Sequence, residues 1–224
     1  MTVFVLASQS PARLGVLRNA GVEPVVRVSH VDEDAVAAAL PADTAPDRVV
    51  IELARAKARE IAGQLAADPA FADSVVVGCD SMLLVDGVLQ GKPLTPEVAR
   101  ARWAEMAGRS ADLLTGHCVL RLRAGEVTAE AADCSSTTVH FAKPEPDELD
   151  AYIATGEPLQ VAGSFTLDGL GGWFVDKIDG DPSSVIGIGL PLVRRLLAEV
   201  GVGIAQLWVG GGPQLRCGTA GRGR

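Results

Sequence analysis

Residues 75–93, VVVGCDSMLLVDGVLQGKP, hold a single acid in the middle of an apolar run and then turn back on themselves. Val75–Val77 and Met82–Val85 read as β-rich stretches interrupted by Asp80-Ser81, and Asp86-Gly87 is the dipeptide that supplies the positive φ angles of a tight hairpin turn into Val88–Gln90. Burying an unpaired carboxylate in such a run costs several kcal/mol, so Asp80 needs compensation. It is either a structural acid capping a turn, or a metal ligand or base. Lys92, between Gly91 and Pro93, sets a cation just beyond the hairpin.

Upstream, Val3–Leu6 reads as a short strand that stops at Ala7-Ser8-Gln9-Ser10-Pro11, and Ala12–Ala20 has helical spacing. Ser10 suits the N-cap and Pro11 the first helical position. That gathers free backbone N–H groups and the hydroxyls of Ser8 and Ser10 at one point, where an anion fits. A second strand is expected at Val25–Val28, then an acidic loop with Asp32, Glu33 and Asp34, then a long helix from about Asp47 to Gln64. On that helix Val50, Leu53, Ala54 and Ile61 define one face, and Lys57 falls on it. Two readings fit Lys57: a snorkelling amine that reaches water, or a positive charge needed inside a pocket.

Downstream, Thr95-Pro96-Glu97 begins a helix that ends near Gly108. Leu113–Leu122 and Glu126–Phe141 form a large antiparallel hairpin turning at Ala124-Gly125. Pro146–Ala154 and Leu190–Val200 read as amphipathic helices, and Gly169–Gly172 as a turn into a strand over Trp173–Ile178. Strands and helices alternate at first and antiparallel strands follow, so the fold class is α/β with a mixed sheet. One domain over residues 1–209 is expected, with a disordered tail over 210–224.

Composition narrows the function. The chain has 224 residues, 48% of them apolar, enough for one substantial core. No apolar run is long enough for a membrane span, and the N-terminus has no basic residue ahead of its short apolar stretch, so a cytoplasmic protein is expected. A net charge of −8 without a basic stripe argues against nucleic acid, while a small anion could still bind a local cluster of cations. The cysteines at 79, 118, 134 and 217 have no CxxC spacing and read as reduced thiols. His30, His117 and His140 lack partners at metal-ligand spacing. Trp103, Trp173 and Trp208 read as core or interface residues, and Gly187 and Gly189 do not fit a dinucleotide fingerprint.

Beyond these readings, LASQSPARLGVL (6–17) resembles the signature loop of the Maf family, and VVGCDSMLLVDGVLQGKP (76–93) resembles its strand, acid, hairpin and Gly-Lys-Pro element. Between and after them run VDEDAV (31–36), LARAKA (53–58), TGEPLQVAG (155–163), LDGLGGWFV (167–175) and GDPSSVIGIGLPL (180–192), so the likeness extends to about Val209 and looks closest to the actinobacterial branch. The resemblance implies an elongated α/β fold with flanking helices and a central cleft. It implies hydrolysis of a nucleoside triphosphate between its α- and β-phosphates by water, with a divalent cation, Mg²⁺ or Mn²⁺. A homodimer would be ordinary for the family.

Residue by residue, Asp80 matches the family's catalytic acid and Glu33 the acid that handles metal or water. Arg13, Lys57 and Lys92 match its phosphate-contacting cations, with Ser8 and Ser10 seating phosphates. Asp80 and Glu33 are thus the implied metal ligands. Ala12, Gly15 and Ala111 depart from the usual arginine, acid and histidine. Val161 and Asp168 stand where pyrimidine-selective members carry lysine and glutamine, which makes Asp168 a base-pocket candidate whose carboxylate cannot donate an amide hydrogen bond. The rival expectation is a non-catalytic nucleotide-binding regulator of cell division and septum formation.

Overall fold

The computed structural model describes residues 2–209, so the expected tail and Cys217 lie outside the described residues. Strand β1 (Val3–Leu6) runs into helix α1 (Pro11–Asn19), which Ser10 caps and Pro11 opens as the sequence predicts. Strand β2 covers only Val25–Val26, shorter than expected. Asp32–Asp34 are not a loop: Asp32 accepts from the Ala35 N–H and caps a short helix α2 (Glu33–Ala38), with Glu33 and Asp34 in its first turn, where acids meet the positive end of the helix dipole. Helix α3 spans Pro46–Leu65.

Strand β3 (Asp73–Val85) is continuous through Asp80-Ser81, where the sequence suggested a break. The interruption in hydrophobicity is a change of surroundings along one strand. The Asp86-Gly87 turn has φ of 48° and 83°, as a two-residue hairpin requires, and leads to β4 (Val88–Gln90). Helix α4 (Pro96–Met106), capped by Thr95, precedes the long hairpin of β5 (Ser110–Arg123) and β6 (Glu126–Phe141). Helix α5 (Pro146–Ala154) leads through single helical turns to β7 (Val175–Asp179). Trp173 therefore lies in a 3-10 turn over Leu170–Phe174, ahead of the strand, and is 84% exposed. It is no core residue, unlike Trp103, which is fully buried. Helices α6 (Pro182–Ile186) and α7 (Leu190–Glu199) follow.

The seven strands of the described residues form one mixed sheet in the order β2-β1-β3-β5-β6-β7, with β4 also on β3. β2, β1 and β3 are parallel and the remaining pairs antiparallel. The first half of β3 is buried on both faces, which is why it reads as an unbroken apolar run and not as an alternation. Val75 and Val77 join Phe4, Leu6 and the α7 leucines on one side, while Val76 joins Val5 and α3 on the other. A third cluster, around Trp103, Phe141, Tyr152 and Phe165, forms where the second half of β3 meets α4 and α5.

One edge of β3 is shared by two partners. β1 pairs with Ser74–Val77 and β4 with Leu83–Val85. Between them, Gly78–Met82 pair only with β5 among the described residues. β1 leaves this gap into the Ser8–Ser10 loop and β4 leaves it toward Lys92, so the free edge is a crevice with a polar loop on each side. Ligand sites favour such places, where neighbouring strands part in different directions.

Candidate functional site

Strand parity decides which side chains enter the crevice from which face. Gly78 and Asp80 point toward α3; Cys79 and Ser81 point away from it. α3 can come close because the residues beneath it are glycines. A Cβ at Gly78 would lie 2.2 Å from the Ala54 carbonyl oxygen, and one at Gly116 the same distance from that of Val50. Helix and sheet touch backbone to backbone there, and one turn further on Lys57 reaches Asp80.

Lys57 settles between the two readings left open by the sequence. It is 9% exposed and does not snorkel; its Nζ lies 2.6 Å from Asp80 Oδ1 and 2.7 Å from Glu33 Oε1. One ammonium bridges two carboxylates, one buried on β3 and one at the start of α2. Asp80 is a strand residue and caps no turn. Burial raises its pKa above the ordinary carboxylate value and Glu33 adds to this, against the pull of Lys57 and Arg13. Glu33 moves the other way. Burial opposes its charge, but the bond to Lys57 and the fields of Lys57, Lys92 and Arg13 outweigh it and lower the pKa.

Arg13 arrives from the opposite face. Its Nη1 donates to Ser8 Oγ at 3.1 Å, its Nη2 to Ser81 Oγ at 3.3 Å and its Nε to the Gly187 carbonyl at 2.8 Å. Ser8 is buried and also accepts from the Ser10 N–H, while Ser10 caps α1 through the Arg13 N–H. Lys92 is exposed, close enough for its charge to act on Glu33. Its arm is held by Arg102, which donates to the Gly91 carbonyl at 2.5 Å, and by the Leu94 N–H, which donates to the Leu159 carbonyl.

Arg13, Glu33, Lys57 and Asp80 thus meet at the free edge of β3, with Ser8 and Ser10 beside them and Lys92 on the far rim. Asp168 is not drawn in by any hydrogen bond or ion pair among the described residues. It sits exposed in a loop buckled by Glu157, whose carboxylate accepts from Thr166 Oγ1 and from the N–H groups of Leu170 and Gly171. Val161 is half-buried in the preceding segment.

Sequence reading gave no role to Ser81, Thr115, His117 or Ser184, which contact Arg13 or the loop that holds it. The one signal available was their polarity inside strand or apolar segments. Cys79 and Cys118 are buried, with thiol pKa values pushed up by burial to about 11 and about 12, so neither is a nucleophile.

The two carboxylates also bear on metal binding. Each spends one oxygen on Lys57 and keeps the other, and among the described residues no group of three or more His, Cys, Asp or Glu stands at ligand distance. That donor set suits a hard cation such as Mg²⁺, which takes one or two protein carboxylates and fills its shell with water and substrate phosphates.

Comparison with known proteins identifies the family. A protein of Nocardia farcinica named nucleoside triphosphate pyrophosphatase is 77% identical over 208 residues, covering 92% of this chain and 97% of its own length. Proteins of the same name from Rhodococcus jostii and Saccharopolyspora erythraea are 72% and 61% identical, over 95% and 92% of this chain and 99% and 96% of their own lengths. The profile described as Maf-like protein matches residues 3–200, a span that contains every residue of the crevice, and the chain belongs to that family.

Proposed function

We propose that this chain hydrolyses nucleoside triphosphates to a nucleoside monophosphate and pyrophosphate. The observation that carries the reading is the Lys57 bridge: a buried ammonium holding two carboxylates at the bottom of a crevice whose rims carry Arg13 and Lys92. A triphosphate brings nearly four negative charges, and the names of the close relatives specify this substrate and bond class.

In the proposed reaction a water oxygen bonds to the α-phosphorus as the bridging bond to the β-phosphoryl group breaks. The electron pair leaves with pyrophosphate, and the water proton goes to a carboxylate. Asp80 is the better base of the two, because its carboxylate is destabilised by burial while that of Glu33 is stabilised by three cations. Glu33 and the second oxygen of Asp80 would hold the divalent cation, Mg²⁺ or Mn²⁺, which when bound neutralises charge on the phosphate oxygens. Arg13, Lys92 and Lys57 stabilise the charge that gathers on the leaving group. Ser8, Ser10 and the N-terminus of α1 offer hydroxyls and N–H groups to the phosphates. The intact pair of carboxylates favours turnover over a regulator that only binds nucleotide.

The test is product analysis. Purified protein with Mg²⁺ or Mn²⁺ is expected to release pyrophosphate from at least one member of a panel of common and modified triphosphates. Asp80→Asn is expected to lower kcat by about 10²–10⁴-fold while the fold is retained. Orthophosphate as the first product, or full turnover by Asp80→Asn, would overturn the reading.

A further inference from the structure

On the face of the sheet away from α3, four fully buried polar side chains lie in a row that the crevice does not itself contain: Thr115 and His117 on β5, Thr137 on β6 and Ser184 on α6. Buried hydroxyls and imidazoles are costly without partners, and each of these makes at least one bond to or within the segment from Asp181 to Gly189. Thr137 Oγ1 accepts from the Asp181 N–H at 3.1 Å and lies 3.1 Å from Ser184 Oγ. Thr115 Oγ1 donates to the Ser184 carbonyl at 3.0 Å. His117 Nε2 accepts from the Gly189 N–H at 2.8 Å, which fixes the proton of the neutral ring on Nδ1.

The row also reads as a directed chain. Ser184 Oγ donates to the Asp181 carbonyl, so Thr137 is the donor to Ser184. Thr115 donates to the Ser184 carbonyl, so Ser81 is the donor to Thr115 at 3.0 Å, and Ser81 Oγ is left to accept from Arg13 Nη2. Besides Ser8 on Nη1, the guanidinium is also gripped by the Gly187 carbonyl on Nε. Gly187 has φ of 130°, and a Cβ there would stand 3.1 Å from Arg13 Nε. Two of the three holds on Arg13 therefore end at the seam, one running through Ser81 to Thr115 and the other through a loop pinned by Thr115, Thr137 and His117, while Nη1 is held by Ser8 on the far side.

We propose that Thr115 and His117 are positioning residues that aim the Arg13 guanidinium at the phosphates by fastening the Asp181–Gly189 loop to the sheet. The inference rests on the assignment of Arg13 to the phosphates in the proposed function. A purely structural seam would lower stability and leave the effect of Arg13 untouched; an aiming seam acts through Arg13.

The experiment is a double-mutant cycle read in two ways, by pyrophosphate release and by calorimetric binding of inorganic pyrophosphate. Thr115→Val keeps the volume and removes both hydroxyl bonds; Thr115→Ser keeps the hydroxyl. The valine variant is expected to lose about 10–100-fold in kcat/KM, the cost of a misplaced charged group, and to bind pyrophosphate more weakly, with Thr115→Ser restoring both. In an Arg13→Ala background Thr115→Val should add little, because residues acting as one unit are not additive. Gly187→Ala, which touches Arg13 directly, should show the same non-additivity and replaces the valine variant if that protein does not fold. Wild-type behaviour of both variants, or a full additional loss in the Arg13→Ala background, overturns the inference. A wild-type protein that releases no pyrophosphate from any triphosphate overturns the proposed function instead.

Discussion

At the scale of single residues, the sequence marked the two charges that matter most. Asp80 and Lys57 each stood in an apolar pattern that could not tolerate them alone, and they are each other's partners at 2.6 Å. The pH dependence of turnover follows from their surroundings. In the proposed reaction Asp80 is the base, which must be ionised to take a proton, and burial raises its pKa. Activity should therefore fall as pH drops through a value above the ordinary range for aspartate, with Glu33, its pKa lowered, still ionised there. A kcat/KM profile measured from pH 4 upward in about half-unit steps checks this; an acid limb at or below the usual aspartate value would contradict it. The same shift has a stability sign. An acid with a raised native pKa binds more protons folded than unfolded, so its contribution to stability falls as pH rises through that window. Sequence could not supply Thr115, His117 or Ser184, because a buried threonine or histidine in a strand looks the same whether it closes a loop or merely fills space.

At the scale of elements, most boundaries were legible because caps and turns are local chemistry. Ser10-Pro11, Thr95-Pro96 and Asp86-Gly87 mark α1, α4 and the hairpin as read. Two misreadings come from taking polarity for irregular structure. Asp80-Ser81 looked like a break in a strand that runs straight through, and Asp32–Asp34 looked like a loop where the acids cap and begin α2. A glycine inside a strand often marks close backbone approach, and Gly78 and Gly116 are such a signal. Here it is the approach of α3 that sets Lys57 over Asp80. Gly116→Ala or Gly78→Ala must push α3 off the sheet, because the new Cβ meets backbone carbonyls that cannot rotate away. Each is expected to cost about 1–3 kcal/mol in denaturant unfolding and, by drawing Lys57 from the carboxylates, on the order of 10²-fold in kcat. Unchanged stability and rate in both variants would show that the helix has room to spare.

For the whole molecule, the crevice lies where the apolar clusters end. The two flanking β1 and the first half of β3 stop near Cys79, the third begins at Leu83, and the polar site occupies the interval on the strand common to all three. The fold is therefore assembled without help from the site, and Lys57 already neutralises part of the carboxylate repulsion. This separates the protein from small metal-organised domains, in which ligand residues repel one another until the ion arrives and chelation unfolds the chain. With the divalent cation of the proposed reaction, chelation should abolish pyrophosphate release and lower the melting temperature only by the small amount that mass action requires. Restoring Mg²⁺ together with a triphosphate analogue blocked at the α–β bridge should then raise it, by the equivalent of about 2.7 kcal/mol when the analogue is at a hundred times its Kd. Differential scanning calorimetry of the chelated, metal-loaded and analogue-bound protein distinguishes the cases. A large drop in melting temperature on chelation alone would mean that the carboxylates depend on the cation for their placement, and that the Lys57 bridge is too weak to organise the site.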